Sequence, residues 1–270
     1  NCLNAKTGVV SHFKHDPAKK NSIGKGRVLS IFVDRNEVMW IGTSDGGLNK
    51  LNADDATFTR YENDPDDKNT FSNNSVYNIF EDKSGNLWTC GYYSAPRGIE
   101  VFDKASGKVI ERHTHKVNGE GTISGNVIMD IYEDRSGLVW AVENTGGIEL
   151  YNPGKLKFRS HKKDESLNSL SSNTLITVYE DQREVMWLSH MEGVDRLNMN
   201  TGAVTPYKKN TRDKQALQSD YVTSVLEDSS GRFWLATDDG VLNLFDRHTE
   251  QVVERYKNTK VPRGARALIE

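Results

Sequence analysis

The sequence predicts an all-β architecture in which one four-stranded unit is written about six times. Three observations carry this reading. The five tryptophans of the chain, Trp40, Trp88, Trp140, Trp187 and Trp234, fall 48, 52, 47 and 47 residues apart. Each lies six residues after an aspartate: Asp34, Asp82, Asp134, Asp181 and Asp228. The segments around them are short, rich in β-branched residues and bounded by turn chemistry, and nothing longer than a turn or two has helical periodicity. A fixed internal spacing recurring at a period near 48 marks a repeat architecture.

In chain order, residues 1–20 read as the last strands of an earlier copy, because Thr7-Gly8 and Phe13-x-x-Asp16-Pro17 match Tyr61-x-x-Asp64-Pro65. Each full copy then opens with an apolar strand, whose paired positions are Val28 and Ile31, Val76 and Ile79, Ile128 and Ile131, Leu175 and Val178, Val222 and Val225. An Asp-x-x-Gly hairpin turn follows in copies two, three and five (Asp82 to Gly85, Asp134 to Gly137, Asp228 to Gly231). Copies one and four read Asp34-Arg35-Asn36-Glu37 and Asp181-Gln182-Arg183-Glu184, so an Asn or a tolerant turn must replace glycine there. After the tryptophan strand comes a glycine-bearing turn (Gly46-Gly47, Gly98, Gly146-Gly147, Gly193, Gly240), then a third strand such as Gly147 to Asn152. A fourth strand ends at Tyr61, His113, His161, Tyr207 or Tyr256. Four short antiparallel strands per 40 to 50 residues is the arithmetic of a β-propeller blade. Complete blades are expected at about 21–64, 70–115, 122–162, 169–209 and 216–257, with partial blades at 1–20 and 261–270. The chain is expected to be one β-propeller domain, or a fragment of a larger propeller of about seven blades.

Composition narrows the function. Charged residues make up 27% and the formal net charge is −3, so there is no basic footprint for nucleic acid. No stretch approaches the length of an apolar membrane span, and no signal segment opens the chain. Cys90 takes a position where the other copies carry Gly42, Val142, Ser189 and Ala236, which reads as a buried small thiol, and no disulfide framework is expected. His113 and His115 form the one close histidine pair; with no converging third ligand, no metal and no cofactor are expected.

The assembled motif, Val-x-x-Ile-x-Glu-Asp-x-x-Gly-x-x-Trp followed by Gly-Gly and a later Asn, resembles the two-component regulator propeller repeat. Asn63-Asp64-Pro65, Ser169-Leu170-Ser171-Ser172-Asn173 and Thr122-Ile123-Ser124-Gly125-Asn126 fit the segments that lie between blades in that family. The resemblance implies the periplasmic sensor region of a hybrid histidine kinase of gut Bacteroides type, which responds to oligosaccharides. It further implies attached parts: a second propeller, an immunoglobulin-like domain, a membrane helix, kinase domains and, in such sensors, a homodimer.

Candidate sites were sought where the copies differ. The adjacent pairs Glu81-Asp82, Glu133-Asp134, Glu180-Asp181 and Glu227-Asp228 look catalytic, but neighbours in a strand point to opposite faces, and the aspartates suit turn amides. The repeated tryptophans are assigned to packing between blades. Variable loops on a rigid scaffold are where recognition usually sits, which directs attention to the turn between strands two and three and the blade crossings beside it. The candidates there are Asp45, then Tyr92, Tyr93 and Arg97 in an insertion of the second blade, then Glu143, Asn144, His190, Glu192, Asp238 and Asp239. Tyrosines and arginine suit a sugar ring and its hydroxyls or an acidic group. Arg27, Asn74, Asn126, Asn173 and Asp220, at the start of the inner strands, face the same rim or serve as caps. The expected function is a ligand-sensing module without catalytic residues. One alternative is a glycoside hydrolase or polysaccharide lyase, where hydrolysis needs two carboxylates about 5 to 9 Å apart and Glu143, Glu192, Asp238 and Asp239 are the acids placed to supply them. The other is a protein-interaction scaffold.

Overall fold

A computed structural model describes residues 2–3, 7–8, 10–91, 98–116, 122–153, 157–165, 169–199 and 201–257. They fall in two compact units, Asn1–Thr114 and His115–Glu270. The first unit holds a short pair, β1 (Cys2–Leu3) with β2 (Val10–Ser11), and two four-stranded sheets. These are β3 (Val28–Val33), β4 (Met39–Thr43), β5 (Leu48–Asn52), β6 (Thr57–Tyr61), and β7 (Asn78–Glu81), β8 (Leu87–Cys90), β9 (Ile99–Asp103), β10 (Lys108–His113). The second unit holds three such sheets. They are β11 (Ile128–Glu133), β12 (Val139–Glu143), β13 (Gly147–Asn152), β14 (Lys157–His161); β15 (Leu175–Glu180), β16 (Met186–His190), β17 (Gly193–Leu197), β18 (Val204–Tyr207); and β19 (Val222–Glu227), β20 (Phe233–Thr237), β21 (Val241–Asp246), β22 (Gln251–Lys257). In every four-stranded sheet consecutive strands pair antiparallel, which is the blade of a β-propeller.

The apolar positions of the first strands stand three residues apart, a spacing that would send them to opposite faces of a plain strand. A bulge resolves this. The register of β3, β11, β15 and β19 shifts at the same place, between Val28 and Ser30, Ile128 and Asp130, Leu175 and Thr177, Val222 and Ser224. One extra residue returns both apolar side chains to one face, and Ile128, Ile131, Leu175, Val178, Val222 and Val225 are all buried. In the second sheet the strand starts later than the sequence places it. Val76 N–H bonds Thr43 O of the preceding sheet (2.9 Å) and Val76 is still fully buried. The first sheet differs on its face: Val28, Ile31 and Val33 are exposed, where the residues equivalent to the first two are buried in every other sheet.

Tight turns follow the sequence with one change. Gly85, Gly137 and Gly231 take positive φ, and at the same position copies one and four place Glu37 (φ 62) and Glu184 (φ 61) rather than Asn. The glycine after the tryptophan strand has a second reason to be glycine. A Cβ on Gly47, Gly147 or Gly193 would stand 2.1 to 2.2 Å from the carbonyl oxygen of Tyr61, His161 or Tyr207.

Sheets pack face to face through the tryptophans. Trp40 lies 6.0 Å from Phe102 of the next sheet, and Trp187 lies 4.6 Å from Phe233 and 5.9 Å from Phe245. The residue ending the fourth strand stacks on the tryptophan of its own sheet: Tyr61 on Trp40, His113 on Trp88, Tyr207 on Trp187 and Tyr256 on Trp234. Each buried tryptophan withdraws about 200 Å² from water, an upper bound near 5 kcal/mol.

Candidate functional site

The Asp-x5-Trp spacing is a clamp. In each copy one carboxylate oxygen takes turn amides and the other takes the indole N–H. Asp34 Oδ1 accepts from Asn36 N (2.9 Å) and Val38 N (3.0 Å), and Asp34 Oδ2 from Trp40 Nε1 (3.0 Å). Trp88 donates to Asp82 at 2.8 Å, Trp140 to Asp134 at 2.7 Å, Trp187 to Asp181 at 3.0 Å and Trp234 to Asp228 at 2.9 Å. A buried indole needs a partner, and an aspartate opening the hairpin supplies it while closing the turn.

Three of the glutamates before these aspartates serve the preceding sheet. Glu81 Oε2 accepts from Arg35 N (2.8 Å), Glu180 Oε2 from Arg135 N (3.1 Å) and Glu227 Oε2 from Gln182 N (2.8 Å). Two cations at one repeat position reinforce this. Lys104 Nζ bridges Asp34 Oδ2 (2.8 Å) and Glu81 Oε1 (2.6 Å), while Arg247 joins Asp181 Oδ2 (2.8 Å) to Glu227. Burial alone would raise Asp34, but Lys104, the Trp40 indole and the turn amides outweigh it and hold the carboxyl at about 2. Burial would likewise lower Lys104, yet its two carboxylates raise it. Glu81, Glu180 and Glu227 are therefore joints between sheets.

The candidates lie at the opposite end of each hairpin. Nine residues after the clamp aspartate stand Thr43, Gly91, Glu143, His190 and Thr237. Their side chains, where present, are buried and turn onto their own loop. Thr43 Oγ1 accepts from Gly46 N (3.0 Å), Glu143 Oε2 from Thr145 N (2.9 Å), and His190 Nδ1 from Glu192 N (3.1 Å). Thr237 donates to Asp239 Oδ1 (2.7 Å). Asp238 Oδ1 accepts from Ser219 Oγ (3.1 Å), Asp45 Oδ2 from Ser44 Oγ (2.8 Å), and exposed Glu192 faces Lys208 at 3.8 Å. Asn144 N donates to Val127 O (2.9 Å). Tyr92, Tyr93 and Arg97 lie outside the described residues.

The inner-strand residues are caps on the crossings between blades. Asn74, Asn126, Asn173 and Asp220 accept through Oδ1 from Asn63, His115, Lys163 and Lys209 N–H respectively. Arg27 departs from this set, donating its own N–H to Ser44 Oγ (3.0 Å).

Five further residues escaped the sequence reading. Asn49, Glu100, Glu149, Asp195 and Asn243 pair across strands with the residue after each tryptophan, and all are buried. Asn49 Oδ1 accepts from Gly24 N (2.7 Å), Glu100 Oε1 from Ser72 N (3.0 Å), Glu149 Oε1 from Ser124 N (3.0 Å) and Asp195 Oδ2 from Ser171 N (2.7 Å). The available signal was a polar residue recurring at one position of the third strand in every copy. In the fourth sheet this brings Ser171 Oγ within 2.6 Å and His190 Nε2 within 3.4 Å of Asp195 Oδ1. The aspartate stands between the other two, whereas nucleophilic catalysis needs the histidine there, so this trio is a structural joint.

Elsewhere, a cavity of about 190 Å³ in the first unit is lined by Tyr61, Phe71, Phe102 and Val109 with Arg60, Glu62, Asn69 and Thr70. Cys90 is a buried free thiol. Among the described residues no three His, Cys, Asp or Glu side chains converge as metal ligands, and no helix is long and apolar enough to cross a membrane.

Residues 22–45, 70–93 and 216–239 match the family described as Two component regulator propeller. No curated protein matches the chain. Among solved structures, two extracellular domains from B. thetaiotaomicron, each described as belonging to a hybrid two component system, are similar in fold. One has TM-score 0.73 at 20% identity over 92% of this chain and 31% of its own. The other has TM-score 0.69 at 23% identity over 92% of this chain and 32% of its own. The chain thus spans about a third of those structures. Virginiamycin B lyase from Staphylococcus aureus is also similar, with TM-score 0.65 at 15% identity over 88% of this chain and 71% of its own. The chain is a β-propeller in fold, and three of its segments are similar to the two component regulator propeller repeat.

Proposed function

We propose that this chain is the ligand-sensing part of a periplasmic sensor region in a hybrid two-component kinase, binding an oligosaccharide and passing the signal to attached domains. One observation carries the reading. The hairpin end built from Asp and Trp is the same in every copy, whereas the position nine residues on changes from Thr43 to Gly91, Glu143, His190 and Thr237. Recognition chemistry belongs at the end that varies. Asp45, Asn144, Glu192, Asp238 and Asp239 share that end, and Tyr92, Tyr93 and Arg97 belong to the same turn of the second copy. Signal transfer requires the ligand to prefer one arrangement of the attached domains over another, and a homodimer of the intact sensor would provide two such arrangements.

The similarity to extracellular domains of hybrid two component systems supports a sensor, and the similarity to virginiamycin B lyase keeps a propeller lyase as the second reading. Against catalysis by the candidate acids, Glu143 Oε2 and Asp239 are engaged within their own hairpins and Asp238 by Ser219 of the preceding crossing. Thermal unfolding against a panel of defined oligosaccharides tests the proposal. A ligand at 100 times its dissociation constant stabilises by about 2.7 kcal/mol. A shift with one glycan class, lost on replacing Tyr92, Tyr93 and Arg97, supports the sensor. Turnover of the sugar, abolished by replacing one acid, would establish the enzyme instead. No shift with any sugar would leave an interaction scaffold.

A further inference from the structure

We propose that the third sheet holds a site for a protonated amine and that the amine is carried by an amino sugar. The second half rests on the oligosaccharide reading, and the first does not.

Glu143 ends β12 with 4% of its surface exposed. Its Oε2 takes the Thr145 amide (2.9 Å) and hydroxyl (3.4 Å), and no donor reaches Oε1 among the described residues. The Ser124 hydroxyl is buried nearby, also without a hydrogen-bond partner. Glycines let the backbone close round this pair. A Cβ on Gly146 would stand 2.3 Å from Glu143 Oε2 and 2.5 Å from Ser124 Oγ, and one on Gly125 would stand 2.4 Å from Glu143 Oε1. The partnerless Ser124 hydroxyl thus stands beside a carboxylate that is almost withdrawn from water and takes its donors through Oε2.

Charge sharpens the choice of ligand. Glu149, on the neighbouring strand of the same hairpin, is fully buried and takes Ser124 N (3.0 Å) and Ser160 Oγ (2.8 Å), both neutral donors. Three buried acids of other sheets have cations, Glu81 with Lys104, Glu100 with Arg112 and Glu227 with Arg247, while Asp195, at the position of Glu149, faces His190 at 3.4 Å. Among the described residues no basic side chain pairs with Glu143 or Glu149. A buried charge without a partner is costly, and a cation brought by a ligand would remove that cost. A metal would want three or more protein ligands in convergence, which the hairpin lacks. An ammonium group donates hydrogen bonds singly, and Glu143 Oε1 with Ser124 Oγ offers it two acceptors.

The variant Glu143→Thr tests this, because threonine is the residue at this position in the first and fifth copies. The probes are methylammonium, glucosamine, a glucosamine oligomer and its N-acetylated counterpart, each titrated by calorimetry and by thermal shift at one ionic strength. The expected result has three parts. The free-amine oligomer binds at least tenfold more tightly than the N-acetylated one. That preference disappears in Glu143→Thr and in Glu143→Gln. Without ligand, Glu143→Thr melts above the wild type, because an uncompensated charge has gone. Equal binding of the two oligomers overturns the amine site and leaves the oligosaccharide reading standing. Stabilisation of the wild type alone by methylammonium and glucosamine, with neither oligomer bound, keeps the amine site and defeats the oligosaccharide reading here. Indifference to all four probes, or a lower melting point for both variants, overturns the proposal.

Discussion

Lys104→Met removes the one cation shared by Asp34 and Glu81 and leaves two buried carboxylates facing each other across neighbouring sheets. Their side chains are 2% and 4% exposed, and the ammonium is 2.8 and 2.6 Å away. Removing one partner from a buried ion pair costs about 3 to 5 kcal/mol, because the remaining charge stays desolvated. The effect has a pH signature. Asp34 is held at about 2 against an ordinary 3.8, a gap of about 2.4 kcal/mol supplied by all of its donors together. A depressed carboxyl stabilises the fold fully above its unfolded value and loses that contribution as pH falls through the folded one. Wild type and variant should therefore differ most near pH 7 and converge as pH falls from about 4 toward 2. Urea unfolding of the full chain at pH 7, 5 and 3 reads both quantities, and Glu81→Gln added to Lys104→Met should restore part of the loss. A deficit under about 0.5 kcal/mol at pH 7, or one that widens toward acid, would refute the bridge as a joint.

Asp134→Ala strands the Trp140 indole, the Ser136 hydroxyl and the Leu138 amide, bonded now at 2.7, 2.6 and 2.9 Å, and should cost about 3 kcal/mol with altered tryptophan fluorescence. A loss below about 0.5 kcal/mol would defeat the clamp. Glu37→Gly and Glu184→Gly relieve the left-handed turns and should each stabilise by about 0.5 to 1 kcal/mol in the same urea assay; a loss from either would show that the glutamate side chain matters more than the backbone. Burial lowers the pKa of His113, against the opposing pull of Glu111. Its contribution is therefore complete above the unfolded value of 6.5 and falls by at most about 1.4 kcal/mol per pH unit below it. His113→Tyr, which installs the residue found at this position in the first and fourth copies, should flatten the profile between pH 5 and 7.

The blade and its turns were legible because they rest on local chemistry. Asp to Trp at a spacing of six requires only a tight hairpin and a reaching carboxylate, and both are visible along the chain. The three-residue spacing of Val222 and Val225 was legible as a strand but not as a bulge, since nothing in the sequence marks the unpaired residue. The role of Glu81 was hidden for a different reason: its partner, the Arg35 amide, is 46 residues away. Glu143 and His190 were found by comparing copies, yet their burial was not, because a charged residue in a loop reads as exposed until a fold encloses it. Asn49, Glu100, Glu149 and Asp195 were missed because their hydrogen bonds go to the blade crossing, 24 to 28 residues away.

The reach of each glutamate into the sheet before it also sets a grammar for how such a chain can grow. Arg135 is capped by Glu180, and Gln182 by Glu227, at sequence separations of 45 in both cases. Excising one whole period between those turns would bring Glu227 to the Arg135 turn with the same donor geometry, an acid meeting an amide as before. A cut one residue longer or shorter would present the clamp aspartate or an apolar residue where the acid belongs. At these two junctions a complete period is therefore the unit that can be gained or lost with the acid-to-amide bond kept.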